Sequence, residues 1–529
     1  MSLSCSCGAN IPDKVENPLN ADAFIPVAHA FSGHRVQTDN SDYEQFLRSK
    51  IVSANDDGID VAASEINPML KPHQRDIVRW AVRKGRAAIF AAFGLGKTFM
   101  QLEIARLIMK HQGGRFLIVA PLGVRQEFKR DADKLGIPIR FVRRIEECDE
   151  TGLYLTNYET IRDGKMDPRS FVGISLDEAG ILRGFGGSKT FREFMRLFEG
   201  QGRFKFVATA TPSPNEFIEL LAYAAFLDVM DVGQAKTRFF KRDSTKADKL
   251  TLHEHKVREY YLWLSGWAIF LQKPSDLGHS DEGYDLPEIE IHWHEVATNH
   301  ANAGYETSGQ GKLIKNSAIG VQDASREKRD SLKLRLKKLM ELRELDPTAH
   351  RIIWHDLEAE RHAIEKAIPG VVTVYGTQDL DEREPLIIDF SEGRIQELAA
   401  KPSMLGSGCN FQYHCSWAIF FGIGFKFFEF IQGIHRVYRF LQTNKVRLDL
   451  IYSEAERGVR RALEQKWEQH KQLTANMTEI IRQYGLASNA LQQEFSRSIG
   501  VERTEERGEN FVLVNNDSII ETREMEPDS

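Results

Sequence analysis

Cysteine is scarce in this chain of 529 residues, with five in all. So small and odd a number over such a length argues against a disulfide framework and implies a reduced, cytoplasmic setting. There is no uninterrupted apolar run of roughly 18 residues or more, so no helical membrane span is expected. The opening residues, MSLSCSCGANIPDKVENP, lack a basic stretch followed by an apolar one, and no secretory leader is read there. Positive charge is not in excess either: 70 Lys and Arg stand against 76 Asp and Glu, a net charge of -6. That balance excludes a chain coated in cations, but not a local basic groove for phosphates. Metal-ligand spacing is missing as well. Cys5 and Cys7 are too close for a zinc knuckle, Cys148, Cys409 and Cys415 offer no partner pair, and His253, His255, His292 and His294 have no carboxylate or cysteine cluster beside them.

What is present is a long globular chain, 42% hydrophobic, with room for about three domains. Residues 1–66 carry little periodicity and read as an N-terminal extension. From Leu70 short apolar runs alternate with longer amphipathic segments: AAIFAAF (87–93), RFLIVAP (115–121), GLYLTNY (152–158), GISLDE (173–178) and FKFVATATP (204–212). Buried parallel strands alternating with helices read this way, which makes 67–232 an α/β lobe. Residues 233–344 break the alternation and read as a helical insertion and connector. Within them, Arg326 to Arg343 is a basic helical stretch, open to two readings: a solvated face or a nucleic-acid contact. A second α/β run fills 345–460, with strands predicted at 351–356, 371–376, 395–400, 417–422 and 446–452. Residues 461–508 read as helical.

The residues AAFGLGKT (91–98) follow an apolar strand and precede the helical pattern FMQLEIARLIMKH. This is the strand–loop–helix setting of a phosphate-binding loop. Gly94 and Gly96 let backbone N–H groups curl around phosphate oxygens, with Leu95 between them and Phe99 opening the helix. The helix N-terminus adds partial positive charge. Lys97 reaches the β- and γ-phosphates of ATP, and the Thr98 hydroxyl holds Mg²⁺. Farther on, ISLDEAG (174–180) ends an apolar strand in Asp177, for Mg²⁺, and Glu178, to orient or deprotonate the attacking water. Gln74, in LKPHQRDIVRW (70–80), lies one helix ahead of the loop, with an amide suited to the adenine edge. The hydroxyls of TATP (209–212) are suited to link the nucleotide site to a nucleic-acid groove.

With these motifs in order, the chain resembles superfamily 2 helicases, and among them the Swi/Snf-type double-stranded DNA translocases. The resemblance covers about 70–232 and 345–460. It rests on Gln74, the A-x-x-G-x-G-K-T loop, APLGVRQEFKRD (120–131), DEAG, TATP, KPSMLGSGCNFQ (401–412) and QGIHRVYRFLQ (432–442). It implies an α/β fold of two RecA-like parallel-sheet lobes in tandem, with a helical insertion and a helical C-terminal region. It also implies ATP and Mg²⁺ as cofactors, and nucleic acid, chiefly double-stranded DNA, as partner. In the family, APLGVRQEF corresponds to a motif that contacts the nucleic-acid backbone, and the Gly-x-Gly-x-Asn segment, with Gly406, touches nucleic acid and ATP. Arg436 and Arg439, at the spacing Q-x-x-x-R-x-x-R, correspond to arginines that face the γ-phosphate across the cleft, where a guanidinium stabilises developing charge. Arg439 is the favoured dominant finger.

The chain departs from the family in two places. DEAG replaces the DEAH box, so Gly180 supplies no side-chain link to nucleic acid, and His435 stands where the family has glycine. FFGIG (420–424) matches a loop of amino-methyltransferases but sits at a strand end between motor motifs, and is read as a strand–turn. Residues 509–529 resemble the opening of a DNA amino-methyltransferase domain, with a methyltransferase domain or subunit as the implied partner; a disordered acidic tail is the other reading. The function expected is an ATP-dependent translocase or helicase. An RNA helicase, and a nucleic-acid-binding assembly module with weak ATPase, are the alternatives.

Overall fold

A computed structural model describes residues 56–180, 182, 189–213, 217–242, 250–298, 321–405 and 410–486, all within one unit, Ile51–Ser529. The strands of the first part are β1 (Arg86–Ala91), β2 (Arg115–Ala120), β3 (Ile139–Phe141), β4 (Gly152–Asn157), β5 (Gly173–Asp177) and β6 (Phe204–Ala208). A hairpin, β7 (Phe240–Arg242) and β8 (Leu250–Leu252), precedes β9 (Ala268–Leu271). Then follow β10 (Ile289–Val296), β11 (Arg351–Trp354), β12 (Val372–Val374), β13 (Glu397–Ala400), β14 (Trp417–Phe420) and β15 (Val446–Ser453).

Two parallel sheets result. The first has the order β3-β4-β2-β5-β6-β1-β9, the second β10-β15-β14-β11-β13-β12. Their inner strands are buried almost end to end, because helices cover both faces and no solvent face remains to be polar. These are two parallel-sheet α/β lobes in tandem, each with its own apolar core.

The segment expected to be a helical insertion is divided between the lobes. β9 closes the edge of the first sheet by pairing with β1, Ala88 opposite Ala268 through Ala91 opposite Leu271. β10 extends the second sheet by eight residues in parallel register with β15, from Ile289 opposite Val446 to Val296 opposite Ser453. The lobes are therefore joined by residues 272–288. A four-residue apolar strand such as AIFL has the same pattern as one turn of buried helix, so its hydrophobicity does not reveal it.

The basic stretch 326–343 is only partly the solvated face read for it: Arg326, Arg329, Lys333 and Lys337 are exposed, whereas Lys328, Arg335 and Arg343 are held in ion pairs. It lies on the helices Val321–Asp330 and Leu332–Glu344, and its central cations are structural. Arg335 is fully buried, pairs with the equally buried Glu360 at 2.7 Å and donates to the Phe421 carbonyl. Lys328 pairs with Asp356 at 2.7 Å, and Arg343 with Glu397 at 2.7 Å.

The helix Arg457–Tyr484, 28 residues long, spans about 42 Å. Val459 and Leu463 join the core of the second lobe, whereas Leu473, Met477 and Ile481 join that of the first. Asn476 donates to the Tyr261 hydroxyl and Arg482 pairs with Asp276, so the helix ties the lobes together. No helix among the described residues is long and apolar enough to cross a membrane. Cys148 and Cys415 are free thiols. Residues 509–529, read above as the opening of a methyltransferase domain, lie outside the described residues.

Candidate nucleotide site

A cleft of about 430 Å³ opens between the lobes. Its first-lobe wall is the loop between β1 and the helix Lys97–Gln112. Gly94 and Gly96 have φ of +87° and +82°, a region that only glycine enters freely. A Cβ on Gly94 would meet Phe440 Cδ2 at 2.9 Å, and one on Gly96 would meet Gln74 Nε2 at 2.2 Å. The loop is thus bare because other groups press on it from both sides. Gly94, Gly96, Lys97, Thr98 and Phe99 line the cleft, while Leu95 is buried beneath.

Lys97 donates to the Ala91 carbonyl at 3.0 Å and lies 5.3 Å from the centre of the Phe93 ring. Poor solvation lowers its pKa, and Glu178 and Asp177 oppose that shift. The two carboxylates end β5. Asp177 accepts from Gln101 Nε2 at 2.8 Å, and its backbone carbonyl accepts from Tyr158 Oη at 2.6 Å. Burial and the adjoining Glu178 push its pKa up to about 8. Glu178 sits at φ +46°, a strained conformation for a residue with a side chain, and accepts from Thr209 Oγ1 at 2.9 Å. Thr209, from the TATP stretch, is therefore joined to the acidic pair directly.

The second lobe contributes Asn410, Gln412, Tyr413, Arg439, Phe440 and Leu441. Arg439 faces the cleft near Lys97 and Glu127, whose pKa is raised by burial and lowered by Arg439. Arg436 is placed differently: it is 2% exposed, donates to the Leu405 carbonyl at 3.0 Å and does not line the cleft. Gly406 lies outside the described residues.

Gln74 also departs from expectation. Its Nε2 donates to the Leu95 carbonyl at 3.0 Å and its Oε1 accepts from Lys71 N at 2.9 Å. The amide is 6% exposed and is spent on bracing the loop and capping its own helix, rather than being held out toward a base.

Several cleft residues were not singled out in the sequence, although Glu127, Arg130 and Asp131 fall within the 120–131 motif and Gln412 within the 401–412 motif. Glu127, Arg130, Asp131 and Lys134 share one face of the helix Arg125–Leu135, and their i, i+3, i+4 spacing was the signal available. Gln412 is buried with an Oε1 that has no hydrogen-bond partner among the described residues, and Tyr284 comes from the connector between lobes. His435 has a visible role: its ring stacks on Phe93 at 4.4 Å and 15°, lobe against lobe. Among the described residues no group of three or more His, Cys, Asp and Glu side chains could hold a metal. His294 pairs with Asp449 at 2.7 Å instead of with a metal-binding partner.

The donor set suits a nucleoside triphosphate with a divalent cation. The positive-φ glycine loop and the N-terminus of the helix Lys97–Gln112 present backbone N–H groups suited to phosphate oxygens, and the crowded carboxylate pair is relieved by positive charge placed beside Asp177. Comparison with protein-family profiles and with curated proteins finds no match. Among solved structures, the Sulfolobus solfataricus SWI2/SNF2 ATPase core in complex with dsDNA is similar, with 17% identity over 82% of this chain and 98% of that chain at a TM-score of 0.38.

Proposed function

We propose that the chain is a nucleic-acid-dependent ATPase motor of the Swi/Snf type within superfamily 2, translocating along nucleic acid, with double-stranded DNA as its preferred track. One observation carries the reading: Lys97, Asp177 and Glu178 of one lobe and Arg439 of the other line a single cleft. A nucleotide-binding protein has no need of an arginine from a second lobe, whereas a motor needs a group that acts only when its lobes close.

In this reading Gly94, Gly96 and the N-terminus of the helix Lys97–Gln112 cradle the phosphates, Lys97 reaches the β- and γ-oxygens, and Thr98 and Asp177 hold the cation. Bound Mg²⁺ supplies charge neutralisation at those oxygens. Glu178, held by Thr209, orients the attacking water and takes its proton. Arg439 meets the charge that develops on the transferred phosphoryl group. Arg436 acts through Leu405 and the adjoining loop, as a positioning residue. Thr209 ties the nucleotide state to the TATP stretch, which compensates for Gly180.

The test is ATP hydrolysis by the full chain with double-stranded DNA, single-stranded DNA and RNA, beside Lys97→Ala and Glu178→Gln. Stimulation by double-stranded DNA with loss of turnover in both variants is expected. Stimulation by RNA alone would make the chain an RNA helicase, and no stimulation by any of the three would refute the motor.

A further inference from the structure

We propose that Gln101 is a positioning residue for the Asp177 carboxylate, holding one oxygen so that the other serves the nucleotide's cation, and that Ser175 sets the orientation of its amide; the proposal rests on the nucleotide reading of the cleft. Gln101 lies one turn beyond Lys97 on the helix Lys97–Gln112, at the i+4 position and therefore on the same face. Ser175 and Asp177 are two residues apart on β5 and point to one face of the sheet. Helix and strand periodicity together bring the three side chains into contact. Gln101 Nε2 donates to Asp177 Oδ1 at 2.8 Å, and Gln101 Oε1 accepts from Ser175 Oγ at 2.7 Å.

Those two contacts leave the amide one orientation. An ionised carboxylate only accepts hydrogen bonds, so the amide must turn its NH2 end to Asp177. The carbonyl end then needs a donor, which is the Ser175 hydroxyl. Gln101 and Ser175 are both buried, among Met100, Leu102 and Ile104 of the helix and Ile174 and Leu176 of the strand. The Asp177 main chain is held as well, because Tyr158 Oη donates to its carbonyl at 2.6 Å. Among the described residues no hydrogen bond reaches Asp177 Oδ2, and Asp177 lines the cleft.

An apolar side chain at position 101 would suit its neighbours without the desolvation that a buried amide costs. What the amide adds is a fixed carboxylate. Partners of this kind orient a metal ligand, and their loss commonly weakens cation binding roughly 10- to 100-fold. Because Gln101 and Lys97 share one helix, the group that reaches the phosphates and the group that aims the carboxylate move as one body.

The experiment is isothermal titration of the full chain with the non-hydrolysable ATP analogue AMPPNP, once with Mg²⁺ and once with EDTA. The ratio of the two affinities measures what the cation adds. Gln101→Met keeps an unbranched side chain of similar volume and removes the amide. It is expected to shrink the ratio on the order of tenfold and to leave the EDTA affinity unchanged. Ser175→Ala, which leaves the helix intact, is expected to shrink it by a smaller factor, and decides the matter if Gln101→Met does not fold. In an Asp177→Asn background, Gln101→Met is expected to have no further effect, since its target is gone. A ratio unchanged in Gln101→Met or, where that variant does not fold, in Ser175→Ala would overturn the proposal. So would equal losses with and without Mg²⁺, or the same loss in both backgrounds, because a trio that only fills the core behaves in those ways. The nucleotide reading itself fails, and this proposal with it, if the wild-type chain binds AMPPNP under neither condition or if Lys97→Ala binds it as well as wild type.

Discussion

Asp177 shows how the cleft is tuned at the scale of one side chain. Its carboxyl is pushed up to about 8 by burial and by Glu178. At pH 7 the folded chain therefore holds a proton that the unfolded chain, with an ordinary carboxyl near ~4, has released. Stability then falls as pH rises between those two values, because the native state binds more protons than the unfolded one. Asn mimics the protonated form, so Asp177→Asn is expected to raise the melting temperature of the nucleotide-free protein. The difference should grow from about pH 4 to about pH 8 and then level off. Parallel melting curves across that range would contradict the shift. Thr209 gives a second test at this scale. Its hydroxyl holds Glu178 in a strained conformation, so Thr209→Val is expected to lower kcat by roughly tenfold, as loss of an orienting partner commonly does. An unchanged kcat would show that Glu178 is held by its backbone alone.

At the scale of elements, the helix Leu332–Glu344 looks basic in sequence yet turns its central arginine into the lobe. Removing one member of a buried pair strands the other charge, which costs about 3–5 kcal/mol. Arg335→Ala is accordingly expected to destabilise the chain by that amount in urea unfolding, with little change in the salt dependence of nucleic-acid binding for the fraction that folds. A change in salt slope with no loss of stability would return this helix to the nucleic-acid surface. The helix Arg457–Tyr484 matters through its far end. Leu473 is 1% exposed in the core of the first lobe, so Leu473→Ala is expected to cost ~2–5 kcal/mol. A loss much below that range would mean that this end of the helix is not packed there.

Across the whole molecule the lobes meet through a few specific contacts. His435 stacks on Phe93, Phe440 rests on Gly94, and Arg125 and Gln126 reach Glu384 at 3.5 and 3.2 Å. The phosphate loop is thus touched directly by the segment that carries Arg439. A double-mutant cycle on Phe93→Ala and His435→Ala is expected to give a coupling of about 0.5–1.5 kcal/mol in unfolding free energy. Additive effects would mean that the two rings do not act together.

Much of this molecule was legible as pattern. Apolar runs bounded by glycine, proline and charge located the strands at 87–93, 115–121, 152–158, 173–178 and 204–212, and five more in the second lobe, because a strand buried on both faces has no freedom to be polar. That the glycine-rich loop and the acidic pair belong to one site was an expectation from local pattern (glycine, lysine and threonine at fixed spacing, and two carboxylates at a strand end), and the structure places both on the wall of one cleft. Where the chain turns back was not legible. β9 is a four-residue apolar run that fits a buried helix as well as a strand, and only pairing with β1 decided it; β10 alternates apolar and polar residues from Ile289 to His294, a strand pattern that was not read, and pairing with β15 gave its place in the second sheet. Nor does sequence report the direction of a side chain in space. The inward turn of Arg335, the spending of the Gln74 amide on the loop, the withdrawal of Arg436 beneath the cleft and the arrival of Tyr284 in it all depend on contacts between residues far apart in the chain. Those contacts exist only once both lobes are folded and facing each other.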